Sequence, residues 1–167
     1  MRLFRSGEIL GIAEETLEFV VESAAESHPN EFMGLLRGED ARDLGLDRSG
    51  TVITDVLVIP GTKSNSQSAT VRRDLVPTDT RSIGSVHSHP NGVLRPSDAD
   101  RSAFGSGKIH IIIGAPYGLD DWRAFDRDGN PTDLDVLDVS LPDAESFFDF
   151  TEADLDVDFT EADFDGT

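Results

Sequence analysis

Three side chains able to hold a metal ion stand close together in the sequence: His87 and His89, two apart in HSHP, and Asp100, in the SDADRSAF stretch that follows. A catalytic zinc keeps three protein ligands from His and carboxylate and leaves its fourth tetrahedral position to water, whose pKa it lowers to about 7. Side chains two apart on a strand share a face, so both imidazoles can turn to one ion if HSH lies at a strand end. Ser97, three residues before Asp100, is an N-cap candidate, which sets Asp100 in the first turn of a helix. Read alone, Ser97 and Asp100 are also a capping box of the S-x-x-D type with no chemistry attached. The chain contains no cysteine, so thiolate nucleophiles, disulfides and Cys-ligated zinc are excluded.

The elements that must carry these residues are legible in outline. Ile12, Leu17, Val20, Val21, Ala24 and Ala25 recur at helical spacing, with Glu14, Glu15, Glu18 and Glu22 opposite, and predict an amphipathic helix over residues 11–28 that Pro29 ends. Residues 31–37 read as a short buried strand opened by Glu31 and closed by Gly38, residues 39–50 as a loop, TVITDVLVIP as a strand and residues 67–72 as a weaker one. RSIGSVHSHP is a strand ended by Pro90. KIHIIIG, a strand over residues 121–125, the turn DRDGN and DLDVLDVSL complete the series. The pattern predicts an α/β fold, a mixed central β-sheet flanked by helices. His110 reads as a core or edge-strand residue with a backbone partner, His28 as a helix C-terminal residue, and DRDGN as a hairpin turn rather than a calcium loop.

In this setting EFMGLLRG, then HSHP, then Ser97 and Asp100 resemble the JAMM motif of the MPN+ metalloproteases: H-S-H, seven residues (90–96), Ser, two residues, Asp. The resemblance covers about residues 1–140 and is most similar to the archaeal desampylase branch, which removes ubiquitin-like modifiers from lysine side chains. It implies an MPN fold similar to the cytidine deaminase-like sandwich, with one zinc per chain on His87, His89 and Asp100. It further implies that Glu31 takes a proton from the attacking water and hands it to the departing amine, while the Ser97 hydroxyl donates to the oxyanion. Without the resemblance Glu31 is a solvated acid at the start of a strand. Ser88, facing away from the ligands, has a supporting hydrogen-bond role. The partners implied are ubiquitin-like modifier proteins and their lysine-linked conjugates, with the modifier's Gly-Gly tail added as a strand beside the zinc, a place suggested by the polar run SNSQSATV. Three other readings stay open: trimming of a sulfur-carrier protein's C-terminus, a metal-free MPN scaffold, and the branch usually fused to a DNA-associated helical region.

Composition narrows these. At 167 residues the chain fits a single catalytic domain, residues 1–141, followed by an acidic tail, 142–167, in which DFTEAD occurs twice and no basic residue appears. The net charge of −19, with Lys63 and Lys108 as the only lysines, excludes a nucleic-acid surface. Asp outnumbers Glu 22 to 11 along the whole chain, the mark of a protein solvated for a salt-rich cytoplasm, and the tail reads as a mobile solvating segment. The start MRLFRSGEIL lacks the pattern of a signal peptide and no run suits a membrane span, so the expected location is cytoplasmic, with no membrane partner.

Overall fold

The computed structural model describes residues 8–59, 63–64, 69–70, 82–105 and 107–141. The tail, and most of the SNSQSATV run, lie outside the described residues. Along the chain come β1 (Ile9–Ala13), α1 (Glu14–Ser27), β2 (Met33–Asp40), a 3-10 turn (Ala41–Leu44), β3 (Thr51–Val58), the short pair β4 (Lys63–Ser64) and β5 (Ala69–Thr70), and β6 (Gly84–His89). They are followed by α2 (Asp98–Phe104), β7 (Ile109–Gly114), β8 (Trp122–Phe125), β9 (Pro131–Thr132) and β10 (Asp135–Leu137). Eight strands form one sheet in the order β10-β1-β3-β2-β6-β7-β8-β9. It is mixed: β10·β1, β1·β3 and β6·β7 are parallel, and the other pairs are antiparallel. The expected mixed sheet flanked by helices is what forms.

The core explains the layers. β7 is buried along its whole length, as a β-branched run in the middle of a sheet covered on both faces should be. Its alternate side chains go to opposite clusters. Ile111 and Ile113 join Leu17, Val20, Val21 and Ala24 of α1, while Ile112 joins Phe104 of α2 and Phe125. Each helix therefore closes one face. Gly84 permits the approach of β6 to β7, since a Cβ there would meet the Ile109 carbonyl oxygen at 1.6 Å. No described helix is long and apolar enough to cross a membrane.

Several boundaries differ from expectation. The helix starts at Glu14 instead of residue 11, because Gly11 and Ile12 pair with β3 on one side and with β10 on the other. Backbone pairing with two neighbours outweighs a spacing that extends the helix by less than one turn. β2 begins at Met33, so Glu31 precedes the strand instead of opening it. The strand also runs on through Asp40, past a bulge at Gly38, where residues from 39 onward had read as loop. Asp40 then accepts from the Arg42 N–H to start the 3-10 turn.

His110 is 1% exposed and stacks on Phe104, 4.0 Å between centroids. Its Nε2–H donates to the Gly107 carbonyl at 3.2 Å, so Nδ1 accepts from the Ser85 hydroxyl at 2.8 Å. Burial, only partly opposed by the Gly107 carbonyl, pushes its pKa down to about 4. A histidine held neutral in the fold contributes stability that is complete above the unfolded value near 6.5 and is lost as pH falls toward 4. We predict that urea unfolding of the metal-free protein loses at most about 3 kcal/mol over that window, and that His110→Gln flattens the loss. An unchanged slope in the variant would rule His110 out as its source.

Candidate metal centre

The β6–α2–β7 unit is a parallel crossover, and the cluster forms where β6 ends and α2 begins, the usual place for a site in an open α/β sheet. His87 and His89 project from one face of β6, and Asp100 comes back to them from the first turn of α2. The two Nε2 atoms are 3.1 Å apart. His87 Nε2 lies 3.2 Å from Asp100 Oδ1, and His89 Nε2 lies 3.1 Å from Asp100 Oδ2. Ligand atoms at 2.0–2.1 Å from one tetrahedral zinc stand roughly 3.3 Å from each other, so the donor set has the shape and size the ion requires.

The surroundings fix which atoms face inward. His89 Nδ1–H donates to the Val93 carbonyl at 2.6 Å, which turns Nε2 to the cluster, where it donates to Asp100 when protonated and offers a lone pair to a metal when not. Val93 is in turn held by its own N–H on Asn91 Oδ1 at 2.9 Å. Ser97 caps α2 in a complete capping box: its Oγ accepts from the Asp100 N–H at 3.1 Å, and Asp100 Oδ2 accepts from the Ser97 N–H at 2.7 Å. The box aims the carboxylate, so capping and metal presentation are one arrangement. Because the backbone engages a lone pair of the Ser97 oxygen, the hydroxyl proton is left to donate elsewhere. Burial would raise the Asp100 pKa, but hydrogen bonds from His87 and His89 hold it far below the usual carboxylate range. Burial disfavours charge on His89, yet Asp100, the Val93 carbonyl and Glu31 outweigh it and raise its pKa.

Glu31, in the link between α1 and β2, is near enough for its charge to favour the imidazolium form of His89. The fold holds that link through Ser88, which is fully buried between the two histidines. Phe32 N–H donates to Ser88 Oγ at 2.7 Å, and Ser88 N–H donates to the Phe32 carbonyl at 2.9 Å. Ser88 therefore has the supporting role expected of it, toward the residue next to Glu31. We predict that Ser88→Ala, by leaving the Phe32 N–H unpaired, lowers stability by about 1–3 kcal/mol and lowers turnover without reducing the metal bound at the cluster. Full turnover in the variant would show that the clamp does not aim Glu31. Val93 and Asn91 were not anticipated; a backbone carbonyl that orients a ligand leaves no mark in residue types.

His110 is separate from the cluster and bonded as described, and His28 Nδ1 meets the Tyr117 hydroxyl at 2.6 Å. DRDGN is a hairpin turn: Asp126 Oδ1 accepts from the N–H groups of Asp128 and Asn130 at 2.9 and 3.0 Å.

A mixed sheet covered by a helix on each face, with two histidines and a carboxylate converging at a strand end, forms a candidate three-ligand metal site. Comparison with known proteins gives the lineage. Residues 13–128 match the family of prokaryotic homologs of the JAB domain. The chain is 67% identical over 156 residues to a probable metalloprotease of Haloferax volcanii, covering 93% of this chain and 97% of that one. Among solved structures, a JAB1/MPN domain protein from Archaeoglobus fulgidus is similar at 30% identity and a TM-score of 0.55, covering 77% of this chain and 99% of that chain. Another, solved as JAMM, a metalloprotease-like zinc site in the proteasome and signalosome, is 28% identical with a TM-score of 0.55, over 78% of this chain and 100% of that one. The chain belongs to the JAMM/MPN+ metalloprotease family, and its fold is the MPN fold.

Proposed function

We propose that this protein is a zinc isopeptidase of the desampylase type, which hydrolyses the bond between the C-terminal glycine of a ubiquitin-like modifier and a substrate lysine. The observation that carries the reading is the three-ligand cluster, its atoms 3.1–3.2 Å apart, with the charge of Glu31 felt at His89. His87, His89 and Asp100 would hold one zinc per chain. When bound there, zinc supplies a Lewis acid with an open position for water and for polarising a carbonyl. Glu31 accepts the water's proton as the water oxygen bonds to the glycine carbonyl carbon, and returns it to the lysine nitrogen as the isopeptide C–N bond breaks. The Ser97 hydroxyl donates to the oxygen that gains charge. The dense acid excess fits work in a salt-rich cytoplasm.

The test is release of a ubiquitin-like modifier from a lysine-linked conjugate in high salt, with Glu31→Ala and chelated protein as controls. Cleavage lost in both controls and restored by zinc supports the proposal. Failure to cleave with zinc bound, together with trimming of modifier precursors that carry C-terminal extensions, would assign the protein instead to peptide-bond processing. Replacing the modifier's penultimate glycine by a bulky residue is expected to abolish cleavage, because an extended tail seated beside the site leaves no room for a side chain.

A further inference from the structure

A groove of about 270 Å³ lies on the α1 face of the sheet, with Thr16, Phe19, Thr54, Val56 and Leu141 among its lining residues. Two features of it are unexpected for a finished surface. Thr16 is 4% exposed, yet its hydroxyl has no hydrogen-bond partner among the described residues. Its oxygen is sealed from the groove as the side chain stands, and a buried polar group left unpaired costs free energy that is recovered when the side chain turns outward to an occupant's acceptor. Phe19, by contrast, is 49% exposed. The end of α1 that carries Thr16 is also uncapped, since Ala13 at the N-cap gives no side-chain acceptor.

The last described residue, Leu141, is itself part of the groove wall, and the 26 residues 142–167 continue from it. They begin PDAESFFDF, with Phe147 and Phe148 six and seven residues past Leu141, a reach of roughly 20 Å or more, whereas Phe19 is one helical turn from Thr16. We propose that residues 142–150 dock in cis in this groove, with the Phe147–Phe148 pair against Phe19 and Val56 and a segment carbonyl or carboxylate accepting from the Thr16 hydroxyl. Of the two acids at the groove, Asp55 is paired with the Arg37 guanidinium, while Glu15 faces an acidic segment. Docking therefore strengthens with salt: the repulsion acts over about 30 Å at 0.01 M ionic strength and over only about 3 Å at 1 M, while the apolar contact persists.

The absence of native cysteines makes the test clean. Glu15→Cys with Ser146→Cys places one thiol at the groove and one beside the aromatic pair without removing either anchor, and a disulfide forms only when their Cα atoms come within about 7 Å. In dilute protein at about 1 M salt the intramolecular disulfide is expected to form on the order of tenfold faster than in the same pair carrying Phe19→Ser, and to slow at low salt. Equal rates with and without the Phe19→Ser substitution, or no salt dependence, would mean that the segment is only tethered and would overturn the proposal. Disulfides between two molecules would overturn it in favour of a second copy as the occupant. Hydrogen exchange on the otherwise unmodified chain supplies an independent arm: truncation after Leu141 should lower protection in the first turns of α1, and unchanged protection counts against docking.

Discussion

Glu31→Gln is expected to reduce hydrolysis by about 10²–10⁴-fold while leaving zinc content and folding stability unchanged. The reason is chemical. Gln keeps the shape of the side chain and its hydrogen-bonding reach but cannot take a proton from an attacking water or return one to a departing amine. Glu31 stands in the link between α1 and β2, outside the ligand set, and Phe32 anchors that link on Ser88. Loss of the charge therefore leaves the cluster assembled. At His89 the substitution removes a charge that favours the imidazolium, the form that cannot bind metal. The measurement is single-turnover cleavage of a modifier–lysine conjugate beside metal analysis of the same preparation. A variant with full zinc and more than about a tenth of wild-type activity would show that Glu31 is not the proton carrier, since general acid–base groups contribute more than that.

What the sequence reveals of this protein depends on how local the determining forces are. HSHP at a strand end and Ser97 with Asp100 at a helix start are set by alternation, proline and capping, all of which act within a few residues, and the structure places them as expected. The hairpin at DRDGN and the end of α1 before Pro29 belong to the same kind. β1 is different. Its residues carry a short apolar run that continues directly into a true helical pattern, and only pairing with β3 and β10, dozens of residues away, makes them a strand. The start of β2 shifts for a similar reason, because the ladder with β6 begins at Met33 opposite His87. Glu31 illustrates the limit at the site. Nothing in its own neighbourhood separates a proton carrier from a solvated acid, and its place became legible through the family motif and, in the structure, through the Ser88 clamp that joins two segments 56 residues apart. Val93 lies beyond any reading of side-chain types, since its carbonyl does the orienting.

Asp100→Asn is expected to abolish both zinc binding and hydrolysis without unfolding the domain, and it separates the two jobs that the capping box performs. An asparagine at this third helical position still presents an oxygen to the Ser97 N–H, so the N-terminus of α2 stays closed. What it removes is the negative charge that faces His87 Nε2 at 3.2 Å and His89 Nε2 at 3.1 Å and that would supply the third ligand oxygen to a metal. A neutral amide oxygen between two imidazoles is a poor partner for a doubly charged ion, whose affinity for the site rests on anionic or strongly basic donors. The stability consequences follow from mass action. A metal that binds only the folded protein stabilises it by about 4 kcal/mol at a free concentration 1,000 times its dissociation constant, and chelation removes that increment. The wild type should therefore melt lower after chelation, whereas the Asn variant should melt near the chelated wild type and show no response to added zinc. Glu31→Gln gives the complementary pattern, inactive but with the full zinc-dependent rise in melting temperature. An Asn variant that bound zinc as tightly as the wild type would place the metal elsewhere than on His87, His89 and Asp100.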